Sequence, residues 1–310
     1  MATVGSILEG AFGLVRRRPG AVAIWGLTYI VGSVAIMGVM VLLLGSASGF
    51  APQPGAEFSS GMAGGFFGTL ILFYVLYALL SVVLINAVYR AILRPNDTAF
   101  ASLRVGSDEF RMLGLTILFV IGMIILYFIS ALAMMMIGGG LGLAVGRSPG
   151  VAVLVSVLLM LGFLGFWIWL SVRVSLIFPM TFHRRRFAID EGWALGRGRF
   201  WTMFGAYLVV WIVIIAVSLI FFWSIFGALF AMIGSGGDPV AQRVAVEQMM
   251  ESRAAAGIAS MIFTMVGGAV LALLSFVLGY GVVGSAAREL LSERGDVTEE
   301  EAEYTAQIFE

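Results

Sequence analysis

The sequence predicts an all-α fold: a polytopic bundle of six transmembrane helices. Three observations carry that expectation. Of the 310 residues, 61% are hydrophobic and 12% charged, and the mean hydropathy is +1.04. Soluble domains carry about 25% charged residues, so a water-soluble core cannot absorb this apolar surface and the solvent must be lipid. Six apolar runs, near 20–45, 66–90, 113–137, 151–178, 204–233 and 257–286, each exceed the roughly 20 residues that a helix needs to cross a bilayer core. Finally, fifteen of the eighteen basic residues, all arginine, fall at alternate ends of these runs.

That charge bias sets the orientation. Arg16, Arg17 and Arg18 precede the first run. Arg90, Arg94, Arg104 and Arg111 follow the second, Arg173, Arg184, Arg185, Arg186, Arg197 and Arg199 the fourth, and Arg288 and Arg294 the sixth. Only Arg147, Arg243 and Arg253 lie on the opposite side. Under the positive-inside rule both termini are cytoplasmic. High Arg, Ala and Gly usage fits a GC-rich bacterial genome. The first run, about 25 residues long, exceeds the 7–15 residues of a signal-peptide h-region and reads as a retained span. Arg90 and Arg173 sit near span ends, where an arginine is expected to snorkel to the headgroups.

The elements follow in order. Val4, Ile7, Leu8, Ala11, Phe12 and Val15 recur at helical spacing before the first span. They predict an amphipathic helix at the interface, ending in Arg16–Arg18 and Pro19. The connection at 46–65 is rich in Gly, Ser and Pro and reads as a loop. Before the third span, Asp97 is placed as a helix cap, with Phe100, Leu103, Ser107 and Phe110 on one face. Before the fifth, Ile189, Trp193, Gly196 and Phe200 share a face flanked by Arg197 and Arg199. Asp238-Pro239 opens a helical pattern through Val240, Val244 and Glu247, beside Met249 and Met250. Gly295 ends the last helix, and Thr298 with Glu301 forms a capping box in an acidic tail. The tail is read as solvated or as bound to a protein partner.

Superimposing Glu9-Gly10 on Glu191-Gly192 places a middle copy near Ala101, with a period of about 91 residues. The expectation is three parallel repeats of an interfacial helix followed by a two-span hairpin: 1–94, 95–186 and 187–294, with the tail at 295–310. Such repeats keep one orientation, unlike the inverted repeats of many transporters.

Ala188 to Leu208 reads AIDEGWALGRGRFWTMFGAYL, and the chain opens with AFGLVRRRPGAVAIWGL. Both stretches resemble a loose bacterial group of six-span proteins. It includes the YciC-like inner-membrane proteins and the membrane domain attached to some glycerophosphodiester phosphodiesterases. The resemblance implies a six-span inner-membrane protein and brings no catalytic residues with it.

Side-chain chemistry is sparse. The chain has no cysteine, which excludes disulfides, thiolate metal sites and cysteine nucleophiles. Its single histidine, His183, opens His183-Arg184-Arg185-Arg186. Asp190 or Glu191 could orient it as a base, but a basic headgroup-binding patch is the preferred reading. Asn86 is the notable polar residue inside a span, either bonding across to Ser171, Ser175 or a backbone carbonyl, or meeting a polar substrate. Gly162, Gly165, Gly267, Gly268, Gly279, Gly281 and Gly284 read as points of close helix approach. Gly138-Gly139-Gly140-Leu141-Gly142 lacks the Lys-Ser/Thr ending of a phosphate loop. No catalytic, metal or cofactor site is assigned, and no nucleic-acid partner.

The expected function is that of a non-enzymatic scaffold or accessory protein binding anionic phospholipid at the cytoplasmic leaflet. Its headgroup residues would be Arg16, Arg17, Arg18, Arg184, Arg185 and Arg186, with Trp193 and Trp201 at the same depth. The alternative is a transporter or channel for a hydrophobic or amphiphilic substrate.

Overall fold

Six stretches poor in charge and rich in Leu, Ile, Val, Ala and Phe become six helices long and apolar enough to cross a membrane: Pro19–Leu43, Phe67–Leu93, Ser107–Gly140, Gly150–Arg184, Phe200–Phe222 and Val266–Glu293. The computed structural model describes residues 2–46, 60–94, 100–103, 106–145, 149–234 and 238–295. All regular structure among them is helical, as the sequence predicts.

Helix α1 spans Val4–Arg17, α2 Pro19–Ser46 and α3 Ser60–Leu93. A 3₁₀ turn at Phe100–Ser102 leads to α4, Ser107–Val145, and α5 spans Pro149–Val174. Two short helices, α6 (Ile177–Arg184) and α7 (Ile189–Leu195), precede α8 (Phe200–Gly234) and α9 (Pro239–Glu293). Contacts gather the described residues into two units: unit 1 from Met1–Ile7, Ser81–Phe204 and Val283–Glu310, and unit 2 from Leu8–Leu80 and Gly205–Val282.

In unit 2, small residues bring helices together. A side chain at Gly26 would strike Leu273, one at Gly32 would strike Leu80, and one at Gly267 would stand 2.3 Å from the Phe221 ring. Gly281 lies against Ala11 of α1. The amphipathic character of α1 holds, but its buried seam is Ile7, Ala11 and Leu14, and Phe12 is turned outward. Two breaks interrupt the long helices of this unit, at Phe222 in α8 and at Gly257 in α9. Gly257 has φ 63, a conformation that glycine adopts without steric cost. The helix expected after Asp238-Pro239 is present, and the Asp238 carboxylate caps it by accepting from Val240 N at 2.9 Å.

In unit 1, α4 packs along α5 and α6 through Tyr127 on Trp167 (5.9 Å) and Phe119 on Phe178 (5.1 Å). On α9, Gly284 lies within van der Waals reach of Tyr89 and Ile92 of α3. By contrast Gly162, Gly165 and Gly279 face open space, so the expectation of close approach fails at these three. The end of α9 is tied down: Glu293 accepts from Arg199 at 2.9 Å and from Ala2 N, and Arg294 donates to Ala194 O at 2.9 Å. Gly295 follows with φ 70; the Thr298 capping box lies outside the described residues.

Among the described residues between Phe100 and Phe110, the separate interfacial helix expected before the third span is not formed. Ala101 and Ser102 take positive φ, and α4 begins only at Ser107. Glu109 sets that start. Its carboxylate reaches back to accept from Gly106 N at 2.8 Å, the reciprocal half of a capping box. Asp97, the cap placed from sequence, lies outside the described residues.

Candidate functional site

The α6–α7 hairpin is folded by local chemistry. Arg185 takes the left-handed conformation (φ 53) and ends α6. Thr181 Oγ1 accepts from Ala188 N at 3.2 Å, tying the hairpin across its turn. Gly192 meets α6 so closely that a Cβ there would lie 2.6 Å from Ile177 Cα. Leu176, Ile177, Phe182, Ala188 and Leu195 fill the interior.

This hairpin displays charge. Glu191 accepts from Arg184 at 2.9 Å and also from Arg186. One carboxylate thus answers two guanidinium groups, while Arg185 is exposed and has no ion pair among the described residues. Exposed Phe187 and Ile189 stand directly beside these arginines. Trp193 is half-buried, its ring under the Arg173 guanidinium at 5.1 Å and edge-to-face with Trp169 at 6.0 Å. Trp201, at the start of α8, is 77% exposed and touches Phe200 and Phe204. Adjacent cations and large exposed apolar side chains are what an apolar–polar boundary accommodates.

A second charged constellation, absent from the sequence reading, lies at the junction of α3 and α4. Asn86 and Arg90 occupy one face of α3, and Arg94 follows at the same four-residue spacing just past its end. Arg90 does not snorkel. It pairs with Glu109 at 2.8 Å with both side chains nearly excluded from solvent (3% and 6%), and donates to Ser102 O at 2.6 Å. Arg94 pairs with Asp108 at 3.3 Å and donates to Phe182 O and His183 O at 2.6 and 3.0 Å. Its guanidinium also stacks on the Phe182 ring at 4.7 Å. Asp108 additionally holds Arg111 at 3.0 Å. The available signal was an arginine pair at i, i+4 closing one span and adjacent acids opening the next.

Asn86 is fully buried, and neither its Nδ2 nor its Oδ1 has a hydrogen-bond partner among the described residues. The expected cross-helix bond is not made: Ser171 and Ser175 hydroxyls donate instead to Trp167 O and Val172 O. Glu191, a suggested orienting group for His183, is engaged by arginines; the backbone carbonyl of His183 serves Arg94. Arg16 is exposed, and Arg17 and Arg18 half-exposed, at the α1–α2 corner. They belong to unit 2 and the α6–α7 arginines to unit 1. Compared with protein-family models, curated proteins and solved structures, the chain matches none.

Proposed function

We propose that this multi-pass membrane protein is a non-enzymatic scaffold or accessory protein of a bacterial inner membrane. On this reading it binds anionic phospholipid at the cytoplasmic leaflet, where both termini also lie. The observation that carries the reading is the α6–α7 hairpin, where exposed Arg185 and Arg186 adjoin exposed Phe187 and Ile189, with the exposed indole of Trp201 nearby in sequence. Such a surface is poorly suited to bulk water and well suited to headgroups above acyl chains. The amphipathic α1, ending in Arg16, Arg17 and Arg18, supports a second contact of the same kind. The likeness to YciC-like proteins and the three-repeat organisation belong to this proposal.

Each arginine near an anionic surface contributes about 1 kcal/mol. Six spans do not need that energy to stay inserted, so its effect is lipid selection. Replacing Arg16, Arg17, Arg18, Arg184, Arg185 and Arg186 by glutamine should leave the protein inserted but deplete co-purified phosphatidylglycerol and cardiolipin. An unchanged lipid profile would reduce these arginines to topology signals. Reporters after Glu310 and within 46–65 should read cytoplasmic and periplasmic, respectively.

One observation favours the alternative reading, a transporter or channel for a hydrophobic or amphiphilic substrate whose polar part Asn86 would meet: the buried Asn86 amide has no hydrogen-bond partner among the described residues. Because the chain has no cysteine, Asn86→Cys supplies a unique thiol. Labelling by a charged, membrane-impermeant maleimide would support an aqueous path; protection from it, with labelling restored on denaturation, would count against one.

A further inference from the structure

Most partly buried arginines described in unit 1 pair with a carboxylate: Arg90 with Glu109, Arg94 and Arg111 with Asp108, Arg184 with Glu191 and Arg199 with Glu293. Arg173, one residue from the end of α5, does not. Among the described residues it makes no ion pair and no hydrogen bond, and its Nε is buried without an acceptor. Its neighbours are indoles. The guanidinium lies 5.1 Å from the Trp193 ring centroid. Trp193 meets Trp169, which sits one helical turn before Arg173 on the same face of α5. Neither indole N–H has a hydrogen-bond partner among the described residues. A Cβ added at Gly196 would stand 3.9 Å from Arg173 Nη1.

Arginine is a donor without an acceptor, and so is the indole N–H. The cluster therefore presents guanidinium and indole donors with a net positive charge and no oxygen to receive them. A planar guanidinium fork matches the oxygens of a phosphate. The surroundings add a second requirement. Arg173 lies within a membrane-spanning stretch, and Phe166, Ile168 and Trp169 on the same helix are exposed. An occupant must carry an anionic head and an apolar body.

We propose that Arg173, Trp169 and Trp193 form a binding site for the phosphodiester of a single phospholipid, whose acyl chains lie along the exposed face of α5. This rests on the lipid-binding reading above and assigns it a discrete site outside the arginine clusters. It also explains why Arg173 carries no carboxylate partner: a resident acid would neutralise the cation and repel the phosphate.

The test is native mass spectrometry of the full chain released from nanodiscs of phosphatidylcholine and phosphatidylglycerol. Wild-type protein should retain one phospholipid at activation energies that strip the remainder; failure to retain any overturns the proposal without recourse to a variant. Arg173→Gln should lower the retained fraction at least about tenfold, the loss expected when charge-assisted hydrogen bonds to phosphate are removed. Arg173→Lys, which keeps the charge but not the fork, should fall between the two. Equal retention by all three overturns the proposal. Excess inorganic phosphate should not displace the bound lipid; displacement would show a bare anion site and overturn the phospholipid assignment. Retention by Arg173→Gln, alongside depletion of bulk anionic lipid in the six-arginine variant, would sink this site and leave the broader reading standing. The converse would do the opposite.

Discussion

The α3–α4 junction and the α6–α7 hairpin both gather arginines at the end of a membrane span, but they complete their charges differently. At α3–α4 the protein supplies the counterions: Arg90 and Arg94 meet Glu109 and Asp108, and main-chain oxygens of Ser102, Phe182 and His183 take further donors. At α6–α7 a single Glu191 serves two arginines, Arg185 stands alone, and nearby Arg173 has only indoles. The first arrangement closes on itself and ties α3, α4 and α6 together within one unit. The second leaves positive charge facing outward beside exposed apolar rings. Charge near a membrane is thus not one kind of feature: enclosed pairs act on folding, and unmatched cations invite a ligand.

Substitutions should separate the two in proportion to their enclosure. The largest effect is expected from Glu109→Ala. It leaves the Arg90 guanidinium buried without its counterion and removes the α4 capping contact to Gly106. Breaking a buried pair from one side typically costs about 3–5 kcal/mol, read here as a fall in the thermal midpoint in detergent. The double variant Arg90→Met, Glu109→Leu should recover much of that loss, since an apolar pair of similar volume removes both desolvated charges. A double variant as unstable as Glu109→Ala would show that Arg90 contributes through its other contacts.

Next in size is Gly192→Ala. The new Cβ would lie 2.6 Å from Ile177 Cα and 2.9 Å from Ile177 N, both backbone atoms that cannot rotate away. Overpacking of this kind costs about 1–3 kcal/mol. Because the hairpin presents the arginines, lipid retention should fall together with stability. Loss of stability with lipid binding unchanged would detach the hairpin's shape from its proposed role.

The six spans were legible because lipid solvent demands long apolar runs, and a run records its own length. The amphipathic α1 and the Asp238 cap were legible for a similar reason, since both are local patterns. The rest depended on what the chain returns to. Phe100, Leu103, Ser107 and Phe110 fit a helical period, yet Ala101 and Ser102 turn the chain with no glycine to announce it, and Ser107 and Phe110 belong to the first turns of α4. Arg90 read as a snorkelling residue because its own span end is apolar; only folding brings Glu109, nineteen positions on, to its side. The seam of α1 moved from Phe12 to Leu14 for a comparable reason, since a periodic pattern fixes a face to within one side chain and the neighbouring helix selects the rest. Among the proposed headgroup residues, the structure leaves Arg185, Arg186 and Trp201 outward but gives Trp193 to Arg173 and Trp169.

The smallest effect on stability should come from Arg186→Gln, and its smallness is what makes it informative. Arg186 is 69% exposed at its side chain and shares Glu191 with the less exposed Arg184. Exposed ion pairs contribute about 0–1 kcal/mol because water and salt already solvate both partners. With Arg186 neutralised, Glu191 keeps its bond to Arg184, so no group is left stranded. The thermal midpoint should therefore hardly move. If the hairpin meets headgroups, however, one outward cation is gone from the surface. Partition of the purified protein toward phosphatidylglycerol over phosphatidylcholine, measured by lipid analysis of mixed nanodiscs, should fall by up to about fivefold, the equivalent of about 1 kcal/mol per surface arginine. Raising salt should shrink the difference between wild type and variant, because screening acts on exposed charges first. A midpoint that drops as far as that of Glu109→Ala would mean that the hairpin is enclosed like the α3–α4 junction, and the contrast between the two regions would be lost.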